Sequence, residues 1–497
     1  MIKVLYCASE AVPFVKTGGL GDVAGSLPRF IKAQGVDPVR NKKFLNGVDP
    51  VRNKKFLNGV DIRMAIPYHK KFISKNYLTK EVSPGIYQGW EKNVPVYFID
   101  QPQYFDRGGM YGDEKGDYTD NLERFVAFCE EILKIVNNTG FIPDIIHCND
   151  WQTALIPVFI ADRSKSDKIL SSIKTILTIH NMSYQGIFPL KDADRIKVSR
   201  EFFTSHALEY DGRLNLLKAG ILYSDFITAV SPTYAKEIQT QELGFGLDGV
   251  LKKRSNKIFG ILNGIYNIKW DPQKDKAIKQ NYSSEDILLR KINKEFLQKI
   301  CGLEVSDRPL AGMVARLVEQ KGLDILIPAI PKLIEQGWQV VVLGTGMENY
   351  HHLLRNLTEQ YCKNFFVALR FDDIFARQIY AGSDVFIVPS RYEPCGISHM
   401  IAARYGAVPV VRKTGGLADT VQDISLRDLS STHMRGLGFV FNDYSADVFS
   451  NCMQRAKNAF QDKPAWNEII KKNMQEDFSW EYSAKEYVGI YNRSVSP

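Results

Sequence analysis

The segment Lys16-Thr17-Gly18-Gly19-Leu20-Gly21-Asp22 returns near the other end of the chain as Lys413-Thr414-Gly415-Gly416-Leu417-Ala418-Asp419. Each copy follows an apolar run of β type and opens a helical pattern, so each is predicted as strand, glycine loop and helix start. Backbone N–H groups at a helix N-terminus act as about half a positive charge and can hold a phosphate or sugar oxygen. A single loop of this kind also fits a plain tight turn. The repeated Lys-Thr and Leu-x-Asp frame points instead to two anion cradles, one in each of two lobes that face one ligand.

Other reactive side chains fall at the ends of apolar runs. Arg316 follows the run 310–315, and Lys321 with Gly322 opens the next helical pattern. Two permanent cations beside a helix N-terminus are what a departing diphosphate requires; a solvated pair on a surface turn is the alternative. Glu393 lies in 389–396, where a carboxylate can accept from sugar hydroxyls and the N–H groups of Cys395 and Gly396 can meet a phosphate. An acidic helix N-cap is the other reading there. His180 ends the run 175–179 and either presents its imidazole to a ligand or is a hydrogen-bonded structural histidine. Asp150 stands at a further strand end, and its neighbour Trp151 is read as packing rather than stacking. Asp192-Ala193-Asp194 spells a metal-type Asp-x-Asp, but no apolar strand precedes it, so a solvated helix face and no catalytic metal are expected.

The elements that must position these residues alternate in two sets. Strands are predicted at 3–8, 62–67, 94–99, 145–147, 175–179 and 226–230, with helices at 21–33, 121–136, 151–161 and 231–240. A second set begins after 257–264, with strands at 310–315, 339–343, 366–369, 385–389, 408–411 and 438–441. This is the pattern of two doubly wound parallel α/β domains, whose ligands lie beyond the carboxyl ends of the strands. The expected boundaries are 1–260 and 261–478, with a closing amphipathic helix over 479–497 that can pack on either domain.

At 497 residues and 44% hydrophobic content the chain exceeds the size of one core. Its start enters a strand pattern without a charged leader or cleavage site, and no apolar run approaches the roughly 20 residues of a membrane span. Seven cysteines without a C-x-x-C pair fit neither a disulfide framework nor a zinc site, so a reducing cytoplasm is expected. The net charge of +8 does not indicate nucleic acid. Residues 35–46 are repeated exactly as 47–58, and the two copies carry half of that charge. The repeat reads as an insertion in a helix-to-strand connection, without a catalytic role.

Together these motifs resemble the bacterial glycogen synthases of the starch-synthase type, retaining glycosyltransferases with two Rossmann-like domains (the GT-B fold) facing an interdomain cleft. The likeness rests on Ala8-Ser9-Glu10 with 16–22, Tyr111-Gly112-Asp113, 147–151, 178–181, 230–234, 260–264, Arg316 with Lys321-Gly322-Leu323-Asp324, 389–396 and 414–419. It implies transfer of glucose from a nucleotide sugar, in this family usually ADP-glucose, to the non-reducing end of an α-1,4-glucan, with no cofactor. By the same resemblance Arg316 and Lys321 stabilise the diphosphate, Glu393 and His180 hold the donor glucose, and Asp150 lines the sugar site. Lys16, Thr17, Gly18, Gly19 and Asp22 lie on the donor side, and Asn263 is assigned there too. Cys395, Gly396, Thr414, Gly415 and Gly416 supply backbone contacts, and Phe371 replaces the family's usual tyrosine at the base. Tyr266 stands where an aspartate is usual, and Ile401 where the wider superfamily places a second glutamate. A glucan-binding pseudoenzyme and a pyridoxal-phosphate-dependent glucan phosphorylase are the competing readings.

Overall fold

A computed structural model describes residues 1–34, 59–114, 116–424 and 436–496. The tandem repeat over 35–58 lies outside the described residues. The chain forms two compact units, Met1–Asn263 with Trp480–Pro497, and Gly264–Ser479.

The first unit is built on a nine-stranded sheet in the order Ile258–Gly260, Phe226–Ala229, Lys174–Ile179, Ile145–Asn149, Ile2–Cys7, Val60–Pro67, Val94–Ile99, Ile86–Glu91 and Leu78–Ser83. The strands from Ile258–Gly260 through Val94–Ile99 pair in parallel, and the last two add an antiparallel hairpin. Near-continuous apolar runs form the parallel part because helices cover both faces; all of Val94–Ile99 is buried. The hairpin escaped the sequence reading because the solvent-facing residues Lys80, Glu81 and Gln88 dilute its pattern. Ile258–Gly260, read from sequence as the passage between domains, is the edge strand of this sheet.

The helix Trp480–Val495 belongs to the first unit. Tyr491 Oη lies 2.7 Å from His147 Nδ1, and the Ser483 hydroxyl donates to the Leu262 carbonyl at 2.5 Å. The stretch predicted as one helix over 151–161 is a 3-10 turn, Trp151–Thr153, followed by the helix Leu155–Arg163. Asp150, which precedes the 3-10 turn, has φ +54°. Asp192 and Asp194 lie in the 3-10 segment Leu190–Arg195, not on an α-helix, and Asp192 pairs with Arg195 at 3.2 Å.

The second unit has seven parallel strands in the order Phe365–Ala368, Gln339–Leu343, Leu310–Val314, Val385–Val388, Val408–Arg412, Gly436–Phe441 and Val421–Asp423. Both units are thus doubly wound α/β domains of the Rossmann-like type. No helix among the described residues is long and apolar enough to cross a membrane.

Candidate active site

In the second unit, Leu310–Val314 and Val385–Val388 are neighbouring parallel strands, so the loops leaving them rise at the same sheet edge. One carries Arg316 and Lys321, the other Glu393. Lys321 Nζ stands 2.6 Å from Glu393 Oε2, and the Ser390 hydroxyl donates to the same oxygen at 3.0 Å. The loops are tied elsewhere. Arg391 N donates to the Gln320 carbonyl at 2.9 Å, and the Arg391 guanidinium meets Asp324 at 2.8 Å and Glu319 at 3.2 Å. Gly322 has φ +76°, and a Cβ there would lie 2.0 Å from the Pro389 carbonyl oxygen, so the loops approach this closely only without a side chain. Arg316 is exposed.

The second glycine loop packs directly against the Glu393 loop. A Cβ on Gly415 would fall 1.9 Å from the Glu393 carbonyl oxygen, and one on Gly416 2.2 Å from that of Cys395. The Gly416 N–H is already shared by the carbonyls of Glu393 and Pro394, each at 3.2 Å. These glycines let the Glu393 loop pass over them; Gly416 offers no free N–H in this state. Thr414 begins the short helix Gly415–Thr420 without a side-chain cap. Cys395 is buried, and Gly396 adopts φ +77° against the ring of His399. Burial pushes His399 down to about 4, and its Nε2 lies 2.6 Å from Thr420 Oγ1. Phe371 is 82% exposed, and Ile401 is buried in the helix Ser398–Arg404.

In the first unit the loop at 16–19 is also occupied. Glu10 Oε2 accepts from Thr17 N at 2.5 Å, from the Thr17 hydroxyl at 2.9 Å and from Gly18 N at 3.3 Å. Burial raises the Glu10 carboxyl, and these donors oppose the rise. Two of the amides assigned to an external anion are thus met by an internal one. Lys16 pairs with Asp22 at 2.6 Å, whereas Gly19 has open space where a Cβ would stand. Asn263 is buried with Oδ1 unpartnered.

His180 and Asp150 do come together. Asp150 Oδ1 accepts from the His180 backbone N–H at 2.7 Å, and the His180 ring reaches Asn149 Oδ1 through Nε2 at 2.9 Å. Burial raises the Asp150 carboxyl to about 7 and lowers His180 to about 3. Trp151 packs, as read from sequence, with its ring 4.9 Å from Phe125 and 5.8 Å from Phe188. Sequence reasoning gave no role to Glu10, Asn149, Ser390 or His399. Glu10 and Asn149 lay inside quoted motifs, and only their hydrogen bonds single them out.

Residues 3–253 match the starch synthase catalytic domain family, and residues 298–463 match glycosyl transferases group 1. Glycogen synthase of Geotalea daltonii is 42% identical over 504 aligned positions, covering 99% of this chain and 98% of that protein. Glycogen synthase of Geotalea uraniireducens is 41% identical, covering 100% and 99%. The catalytic domain of starch synthase IV from Arabidopsis thaliana, solved with ADP and acarbose, matches with a TM-score of 0.85 at 32% identity, both chains being covered in full. Sucrose-phosphate synthase from Thermosynechococcus elongatus, at 16% identity and a TM-score of 0.59, shares the fold alone. With two Rossmann-like domains of the GT-B type and paired cation and carboxylate at adjacent strand ends, the chain belongs to the glycogen synthase family of glucosyltransferases.

Proposed function

We propose that this protein transfers glucose from ADP-glucose to the non-reducing end of an α-1,4-glucan, with retention at the anomeric carbon, in the cytoplasm. The observation that carries the reading is the Lys321–Glu393 pair, held at 2.6 Å by loops from adjacent strands with Arg316 on the same loop as Lys321. The ADP and acarbose bound to starch synthase IV support a nucleotide and a glucan-like ligand.

The bond from the anomeric carbon to the diphosphate breaks, and a bond to the acceptor hydroxyl forms on the same face. The acceptor proton leaves with the diphosphate. The transition state is an oxocarbenium ion beside a diphosphate anion, so fixed cations on the leaving group supply most of the stabilisation. Arg316 and Lys321 fill that role, Glu393 and His180 hold the sugar, and Phe371 stacks on the base. No step calls on a metal or a cofactor.

Radiolabelled glucose transfer to glycogen, compared for ADP-glucose and UDP-glucose, tests this. Incorporation with ADP-glucose as the better donor is expected. Glucan binding without incorporation from either donor would overturn the enzyme reading, and preference for UDP-glucose would overturn the donor.

A further inference from the structure

His180 is held by a hydrogen-bond arrangement that selects one form of its ring. The Asn149 carboxamide donates through Nδ2 to the Cys7 carbonyl at 2.9 Å, which leaves Oδ1 as its other end. That oxygen receives the Tyr6 hydroxyl at 3.0 Å and His180 Nε2 at 2.9 Å. An amide oxygen has two lone pairs and no proton, so both neighbours must donate to it. Nε2 therefore carries the hydrogen, and in the neutral ring Nδ1 is a bare lone pair. Tyr6 and Asn149 are completely buried on the neighbouring parallel strands Ile2–Cys7 and Ile145–Asn149, so neither can turn away. The Asp150 carboxylate is engaged with the His180 backbone N–H rather than with its ring, and burial disfavours the imidazolium. His180 itself is only partly buried.

We propose that Asn149 and Tyr6 are positioning residues that hold His180 as the Nε2–H tautomer, so that its Nδ1 accepts a hydrogen bond from a hydroxyl of the transferred sugar and donates none. The inference rests on the reading of His180 as a sugar contact. It gives the site a chemical demand: a hydroxyl must be present at that position, and an acceptor-only group cannot replace it.

Two measurements on the full chain test it. In nitrogen-15 spectra of histidine-labelled protein, with the His180 signals assigned by their loss in His180→Gln, Nε2 is expected protonated and Nδ1 bare from pH 6 to 9. A Nδ1–H tautomer or an imidazolium in that range overturns the proposal. Tyr6→Phe, which keeps the packing, and Asn149→Leu are expected to mix the tautomers and raise the donor KM more than they lower kcat; unchanged tautomer populations in both would also overturn it.

The second measurement is equilibrium binding of ADP-sugar analogues carrying hydrogen or fluorine at each hydroxyl in turn. Fluorine accepts but does not donate, so at one position both analogues should bind about three- to tenfold more weakly than ADP-glucose, and equally so. His180→Ala should erase that difference. A fluorinated analogue that binds as well as ADP-glucose at the position coupled to His180 shows the ring donating, and the proposal fails. If no hydroxyl is coupled to His180 at all, His180 is not a sugar contact; that failure belongs to the functional reading and is recognised by an intact tautomer result.

Discussion

The Lys321 ammonium sits 2.6 Å from the Glu393 carboxylate, although 72 residues separate them in the chain. Each belongs to a loop at the end of a different strand of one parallel sheet. Both side chains are largely shielded, at 18% and 9% exposure. Removing either partner leaves the other short of compensation, while removing both does not. Lys321→Met is therefore expected to lower kcat by about 10²- to 10³-fold and to lower the melting temperature of the second unit. The double variant Lys321→Met/Glu393→Gln should recover most of that melting temperature and none of the turnover. Steady-state kinetics and calorimetry on the two variants and the parent check this; recovery of turnover would show that the pair is structural only.

Asp150 gives stability an unusual dependence on pH. Its carboxyl is raised to about 7 by burial, against an ordinary value of 3.8. Below about pH 4 both folded and unfolded chains hold the proton, and the group imposes no ionisation cost. As pH rises toward 7 the unfolded chain ionises while the folded one resists, so stability from this group is lost across that window. Asp150→Asn should thus melt close to the parent protein near pH 4 and above it at pH 8, the gain growing between the two. Melting curves at half-unit pH steps read it; a gain that is largest at pH 4 contradicts the sign.

Glycines of three loops should separate by substitution to alanine. At Gly322 and Gly415 a Cβ would lie 2.0 and 1.9 Å from backbone carbonyl oxygens. Either change demands backbone movement and should cost about 2 kcal/mol or more, with loss of soluble protein or a clear drop in melting temperature. Gly19→Ala meets nothing within 4 Å. Its stability should stay within about 0.5 kcal/mol of the parent's, and its donor KM should rise if this backbone contacts the donor. An unchanged KM removes Gly19 from the donor site.

Deleting residues 35–58 tests the insertion. The helix Gly19–Ala33 is capped by Gln34, and the strand Val60–Pro67 pairs with Ile2–Cys7 from the register Ile2↔Val60. The deletion joins Gln34 to Gly59, an ordinary short helix-to-strand connection. The kcat and donor KM should stay within about twofold, since shortening a helix-to-strand connection changes mainly loop entropy. A tenfold loss of kcat would give the repeat a functional part.

The positions of the strands were largely legible, because a buried parallel strand is an apolar run of local sequence and needs no partner to be recognised. Leu310–Val314, Gln339–Leu343 and Val385–Val388 lie where that pattern puts them. The antiparallel hairpin over 78–91 was not legible, since half of its side chains face water. The reactive residues were legible by type and by their place after strands. Their states were not: Thr17 and Gly18 look like anion-binding amides until Glu10 is seen to hold them.

From the amino-acid order alone follow the two alternating α/β sets, the strand-end placement of Arg316, Lys321, Glu393, Asp150 and His180, and the resemblance built on them. Local periodicity and chain-order motifs carry that information, because each is written within a few consecutive residues. Only the folded chain decides that Lys321 meets Glu393, that Gly415 and Gly416 make room for the Glu393 loop, and that Asn149 chooses the tautomer of His180. Those are contacts between segments dozens of residues apart in the chain, and their partners are selected by sheet order and close packing rather than by anything written beside either residue.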